Sequence, residues 1–190
     1  MSPSFLKILR SKKGQSLIEI TLIAPLMLAL AYGAVEVGSV ISTYLTMTHT
    51  TREGANLTSR GTLPNTALDG IIGAAAPTIT TANQAQWRII YSKIVRDPLT
   101  PCPAEPCKYI VDTAANGQIV RGNLNKASKL GPPNGQQITQ TMLPGIQNVK
   151  DNQTFHVIEF FFNYAPNIMT YIGKGINTDF YDRTIFTNVS

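Results

Sequence analysis

An apolar run from Ser16 to Thr46, with only two charged side chains, constrains this chain more than any other feature. The two charges are Glu19 and Glu36, and 16 uncharged residues separate them. With flanking residues from 15–17 or 37–45, this uncharged stretch reaches the ~20 residues that a helix needs to cross a bilayer. Cationic flanks stay on the cytoplasmic side of a membrane, and four cations precede the run: Lys7, Arg10, Lys12 and Lys13. The sequence therefore predicts a transmembrane helix with the rest of the chain on the outer side.

The same four cations account for most of the formal net charge of +5, and subtracting them leaves +1 for everything after Gly14. The remaining basic residues are scattered and form no stripe. A nearly neutral remainder cannot release the counterions that drive binding to a phosphate backbone. The charge distribution therefore argues against a nucleic-acid partner, although the pI is 9.3. The length of 190 residues allows one modest domain in addition to the helix.

Glu19 lies just inside the apolar run, and Gly14 stands five residues before it. A carboxylate costs ~2.5 to 3.5 kcal/mol at the centre of a membrane helix and less near an interface, so a partner is expected. Cleavage after Gly14 would free the α-amine of Gln15 and make Glu19 the fifth residue of the mature chain. The carboxylate could then pair with the α-amine of a neighbouring subunit. A group that is costly in lipid but neutral when paired would favour assembly.

The residues around this junction, Lys-Lys-Gly14 followed by Gln-Ser-Leu-Ile-Glu19, resemble the prepilin-peptidase site of type IV pilins. Three further features are similar to the TadE family of minor pilins, or pseudopilins, from tight-adherence (Flp-type) pilus systems: Pro25 within the run, Glu36 with Gly38 near its end, and Arg52-Glu-Gly-Ala55. Major pilins and many pseudopilins carry Phe or Tyr where this chain has Gln15 and Ile20, which favours a minor subunit. The resemblance covers roughly residues 12 to 60.

The resemblance implies a structural subunit that is processed by prepilin peptidase and joins or primes a type IV (Tad/Flp) pilus, with no catalytic residue and no cofactor. Its partners would be other pilin subunits, the peptidase and the inner-membrane assembly platform. The exported domain would lie in the periplasm while the helix is in the bacterial inner membrane, and outside the cell after assembly. We expect a cleaved leader at 1–14, a stem helix at 15–60 and an exported domain at 61–190. The expected assembly residues are Glu19, Pro25 and Glu36, although Glu36 also suits an interfacial anchor.

Two other interpretations stay open. The tripeptide Ala29-Leu-Ala31 is an A-x-A site behind an apolar stretch, so cleavage after Ala31 would release a soluble secreted protein that begins at Tyr32. An uncleaved single-pass envelope protein that binds a partner through its outer domain would have the same span. The first residue of the native protein distinguishes all three interpretations.

The chain contains two cysteines and two histidines, and neither pair predicts a catalytic or metal site. Cys102 and Cys107 lie in a proline-rich stretch; two thiols cannot form a structural zinc site, and their spacing is not that of C-x-x-C redox enzymes. If the domain is exported, the two cysteines are expected to form a small-loop disulfide that stabilises the fold by ~2 kcal/mol. In a reducing cytoplasm, they would stay free thiols. His49 and His156 have no neighbouring Cys, serine elbow or acidic cluster in sequence, so structural roles are expected.

Beyond the stem, hydrophobic patterns predict an α+β domain with a small antiparallel sheet packed on the long helix. A helix is expected at 66–76, and strands are expected at 86–95, 108–113, 118–122, 155–164 and 180–189. Asn116-Gly117 predicts a hairpin between the second and third strands. Three consecutive phenylalanines at 160–162 indicate a sheet covered on both faces, with an exposed partner surface as the alternative. The segment 123–152 is rich in Gly, Pro, Asn and Gln, which predicts a loop with a mobile contact surface, with a short helix at 136–142 as one option.

Overall fold

The computed structural model describes residues 12–61, 63–75, 79–99, 107–144, 146, 153–165 and 178–189. Helix α1 spans Lys12–Ser59, α2 spans Pro64–Ala74, and a short 3-10 helix spans Thr81–Gln86. The five strands are β1 (Trp87–Arg96), β2 (Tyr109–Val111), β3 (Gln118–Arg121), β4 (Gln153–Tyr164) and β5 (Thr178–Val189). The predicted α+β class, with a long N-terminal apolar helix and a small antiparallel sheet, is confirmed.

The described residues fall into two compact units. The first contains α1 up to Ile41, and the second begins at Ser42 and contains the last part of α1, α2 and all five strands. Within the first unit, α1 continues through Pro25, whose missing N–H removes one helical hydrogen bond. The hydroxyl of Ser39 donates to the Val35 carbonyl oxygen at 3.0 Å, four residues earlier, so this polar side chain needs no partner outside the helix.

The predicted end of the stem between Gly61 and Pro64 is confirmed. Gly61 adopts a φ of 88°, a left-handed conformation that glycine reaches without steric cost, and α1 ends two residues before it. Helix α2 then begins at Pro64, two residues before the expected start. Proline suits the first turn of a helix because its fixed φ is helical and its missing N–H has no helical partner there.

Strand β1 lies in the interior of the sheet. It pairs antiparallel with β4 along Trp87–Ile94, and β4 pairs with β5 through twelve consecutive positions. The strand order is β2-β1-β4-β5, with β3 also on β1. All five strands lie close to their predicted positions.

The predicted hairpin between β2 and β3 is wrong. Both strands pair with β1, β2 opposite Ile94–Arg96 and β3 opposite Ile89–Ser92, so they lie end to end along one edge. Residues 112–117 form an excursion between them. The Lys93 N–H donates to the Gly117 carbonyl oxygen at 2.7 Å, and the Lys93 carbonyl oxygen accepts from the Asp112 N–H at 2.8 Å. A Cβ on Gly117 would lie 1.9 Å from the Asp112 carbonyl oxygen, so glycine is required here for close approach.

One face of the sheet is covered by the last part of α1 and by α2. At Gly54 the helix approaches the sheet so closely that an added Cβ would lie 2.6 Å from Ile158 Cδ1 and 2.8 Å from Ile71 Cδ1. Thr51 is fully buried, and its hydroxyl donates to Asp182 Oδ2 at 2.5 Å on β5. These contacts lie within the second unit and show that the segment from Ser42 to Ser59 packs on the sheet.

The other face of the sheet is covered by chain without regular secondary structure. Ile94, Phe155 and Val157 from the strands form a core with residues that interrupt the polar sequence after β3: Leu130, Ile138, Leu143 and Ile146. Phe160, Phe161 and Phe162 are all buried, which confirms a sheet covered on both faces. The described part of 123–152 is a loop, as predicted, and its buried apolar residues cover this face of the sheet. The contact surface expected there stays a prediction. The optional helix at 136–142 is absent from these described residues: Gln137 forms an isolated bridge with Ile110, and residues 140–142 form a turn.

Candidate functional site

Helix α1 carries the first candidate site, because its apolar side chains are exposed in the isolated chain. Large apolar residues from Ile18 to Leu45 are 41–72% exposed and occur on all sides of the helix. The most apolar 18-residue window has a mean hydropathy of 1.9, and none of it is buried. By length and composition, this helix can cross a membrane. A helix that is apolar all round requires an apolar environment, which in this segment must come from lipid or from other helices.

The predicted assembly residues all lie on α1. The backbone of Gly14 and Gln15 is helical, and their side-chain environments lie outside the described part of the structure. Glu19 is exposed, Pro25 is internal to the helix, and Glu36 is half-buried. Glu36 lies 17 positions after Glu19 in the helix, or roughly 25 Å along the axis. The two carboxylates are therefore separate features, and the helix does not bring them into one site.

The comparison with known families concerns this helix. The family described as TadE-like protein matches residues 14–56, a range that begins at Gly14 and ends near the helix terminus. This segment is TadE-like. The resemblance predicted from the residue pattern is confirmed there, and the sheet lies outside the matched range. No curated protein and no solved structure matches the chain. The TadE-like segment and its apolar helix together indicate a pilus-related protein that associates with a membrane.

The conspicuous Arg52-Glu-Gly-Ala55 sequence of the TadE-like segment has a structural explanation. Arg52 and Glu53 are exposed on the helix surface, whereas Gly54 and Ala55 are buried against the domain. Gly54 leaves room for the side chains of Ile71 and Ile158, which a larger residue would displace. The two small residues thus allow the helix to approach the sheet, and the two charged residues mark its outer face.

The predicted disulfide cannot be placed on this framework. Cys102 lies outside the described residues, whereas Cys107 is half-buried next to the core on the irregular face of the sheet. The pairing of Cys102 with Cys107 stays a prediction.

Glu159, in the middle of β4, is a buried carboxylate that no sequence pattern indicated. Its exposed fraction is 0%, and it accepts hydrogen bonds from three groups. The Tyr181 hydroxyl donates to Oε1 at 2.9 Å, the Lys129 N–H donates to Oε1 at 3.0 Å, and the Ser128 hydroxyl donates to Oε2. The Lys129 ammonium also lies 3.3 Å from the centre of the Tyr181 ring. The Glu159 carboxylate on β4 therefore links Ser128 and Lys129, in the loop that covers this face of the sheet, to Tyr181 on β5.

Burial raises the pKa of the Tyr181 hydroxyl, and the adjacent Glu159 carboxylate raises it further. Tyr181 therefore stays protonated and remains a donor at physiological pH. Since Ser128, Lys129 and Tyr181 all donate to Glu159, the buried carboxylate has hydrogen-bond partners for both of its oxygens.

A second polar group lies on the helix-covered side of the sheet. The Tyr91 hydroxyl and His156 Nδ1 are 2.9 Å apart, and Lys93 Nζ lies 3.1 Å from Asp112 Oδ2. Burial lowers the pKa of His156, and the Lys93 charge lowers it further. Partial burial alone would raise the pKa of Asp112, but the Ala114 N–H and Lys93 outweigh it, so the net shift is downward. His156 is therefore a satisfied, neutral histidine, as predicted.

These clusters do not assemble a metal centre. Among the described residues, no group of three or more His, Cys, Asp or Glu side chains is placed to hold a metal ion. The histidine on α1, His49, is exposed on the helix surface.

Proposed function

We propose that this protein is a non-catalytic structural subunit of a type IV (Tad/Flp) pilus, matured by prepilin peptidase after Gly14 and assembled through its apolar helix. The observation that carries the proposal is the coincidence of two boundaries. The TadE-like match begins at Gly14, the residue at which the basic leader meets the apolar helix. A peptidase that cuts there would remove the cations that retain the leader on the cytoplasmic side.

In this proposal Glu19 supplies the charge that directs assembly. After cleavage, its carboxylate lies four residues from the new α-amine of Gln15, and it pairs with the equivalent amine of a neighbouring subunit. The exposed apolar residues of α1 then exchange lipid contacts for contacts with other helices. Pro25 loosens the helix locally, and Glu36 anchors it near the outer interface or contacts a neighbour. The partners are other pilin subunits and the assembly platform of the inner membrane.

The cleavage step is tested by Gly14→Ala. We expect the variant to retain its leader, because an added methyl group obstructs the close approach of the peptidase to the backbone at the scissile bond. Gel mobility of the protein, expressed with and without the peptidase, measures the outcome. Gly33→Ala is the matched control: it lies in the same helix, its added Cβ meets no atom within 4 Å, and it should be processed normally.

Normal processing of Gly14→Ala would overturn the proposed site. A shift in mobility that is abolished by Ala31→Leu instead would identify signal-peptidase cleavage after Ala31. A chain whose mobility never changes would identify an uncleaved envelope protein.

A further inference from the structure

A cavity of about 540 Å³ lies on the helix-covered side of the sheet, within the second unit. Its apolar walls include Leu63 and Pro64 at the start of α2 and the methyl groups of Ala114 and Ala115 in the excursion between β2 and β3. Leu63 is 72% exposed, although it is a large apolar residue. Volumes of this size are typical of small-ligand sites in proteins.

The polar groups of the cavity supply both donors and acceptors. The Lys93 ammonium and the Asp112 carboxylate form a donor and acceptor pair 3.1 Å apart, with their side chains 39% and 17% exposed. Tyr91 and His156 provide a second pair. The Tyr91 hydroxyl lies 2.9 Å from His156 Nδ1, within hydrogen-bond distance. Burial raises the pKa of Tyr91 to about 12, so its hydroxyl keeps its proton.

The charges in the cavity cancel, and this restricts the ligand. An anion would be attracted by Lys93 but repelled by Asp112, and a cation would be attracted by Asp112 but repelled by Lys93. A neutral group that donates and accepts at adjacent atoms can instead bridge the pair. Neighbouring hydroxyl groups do so, because each is one donor and an acceptor.

A peptide strand is disfavoured by the backbone at this position. Strand β1 could offer its N–H and C=O groups to an added strand only where they are unpaired. At Lys93 both groups are already bonded, the N–H to Gly117 and the carbonyl oxygen to Asp112. Recognition at the cavity must therefore come from side chains and apolar walls rather than from strand addition.

We propose that this cavity binds a neutral carbohydrate, with the sugar hydroxyls on Lys93, Asp112 and the exposed Asn116, and the apolar face of the ring against Leu63 and Pro64. The site goes beyond the assembly role and uses none of its residues. It would give the exported domain an affinity for neutral glycans.

The proposal is tested with the full-length protein in detergent micelles and four probes: the methyl glycosides of glucose, galactose, mannose and N-acetylglucosamine. Saturation-transfer NMR at millimolar probe concentration should detect at least one of them. Ala115→Trp fills the mouth of the cavity from an exposed position and should weaken binding by about tenfold or more. Ala127→Trp, at another exposed alanine outside the cavity, should bind as the unmodified protein does.

The charge argument is tested with two further probes, sialic acid and glucosamine, which carry one negative and one positive charge. Each should give a weaker signal than the neutral glycoside that binds best. The proposal is overturned if none of the four glycosides binds, if Ala115→Trp binds as tightly as Ala127→Trp, or if a blocked neutral tripeptide displaces the sugar. None of these outcomes depends on leader cleavage or pilus assembly, so failure here leaves the proposed function standing.

Discussion

Replacing Glu19 by alanine is expected to leave leader cleavage intact and to reduce incorporation of the protein into pili by about tenfold or more. The free energy of the helix in lipid is lower in the variant, because a carboxylate costs ~2.5 to 3.5 kcal/mol at the centre of a membrane helix. It also loses the group that neutralises the α-amine of a neighbouring subunit. Immunoblots of sheared pili and of the remaining cells measure the incorporated fraction, and electron microscopy measures the number of pili per cell.

Two variants make this experiment specific. Glu19→Gln keeps the volume and polarity of the side chain but removes the charge, and it should behave like Glu19→Ala. Glu36→Gln removes the second carboxylate of the same apolar helix, and it should reduce incorporation much less. Wild-type incorporation of Glu19→Gln, with pili of normal number, would contradict the pairing role.

Replacing Glu159 by alanine is expected to destabilise the sheet domain by about 2 to 4 kcal/mol, because three donors lose their acceptor in a buried position. For a chain of this size, this loss lowers the unfolding temperature by about 5 to 15 °C. The single tryptophan, Trp87, is 3% exposed on β1, so its fluorescence reports unfolding of this domain rather than of the apolar helix.

The matched control for this stability measurement is Glu53→Ala, which removes an exposed glutamate from the surface of α1 and should change stability by less than about 0.5 kcal/mol. Glu159→Gln keeps one oxygen acceptor and should lie between the alanine variant and the unmodified protein. An unfolding temperature for Glu159→Ala equal to that of Glu53→Ala would show that the buried hydrogen bonds contribute no net stability.

The strands and helices of this protein could be predicted because their signals are local. Alternating and β-branched residues predicted β1, a strongly apolar stretch predicted β4, and Gly61 with Pro64 predicted the end of the long helix. The Asn116-Gly117 signal misled because glycine serves two purposes. In a hairpin turn, glycine is needed because it can adopt a positive φ. Gly117 is instead needed because its Cα lies against the Asp112 backbone. That close approach depends on where β2 and β3 each pair with β1, which the local sequence does not show.

The cover of the second face and the Glu159 cluster could not be predicted, because their partners are distant in sequence. Leu130, Ile138 and Leu143 are isolated apolar residues in a polar segment, and isolated residues have no period to detect. Glu159 stands between apolar residues in β4, and the sequence around it does not indicate which face of the sheet it lies on. The side chains that donate to it come from Ser128 and Tyr181, which are distant in sequence. In the candidate assembly segment, the spacing of the residues was enough to predict the TadE-like match. The close approach of Gly54 to Ile158 could be seen only in the folded structure.

The most direct test of the account is the first residue of the protein purified from its native cells, determined by intact mass and by sequencing of the N-terminal peptide. The account predicts a chain that begins at Gln15, with Glu19 at its fifth position. A chain that begins at Tyr32, or one that retains the basic leader, would contradict it, because no α-amine would then lie at the position that the Glu19 pair requires.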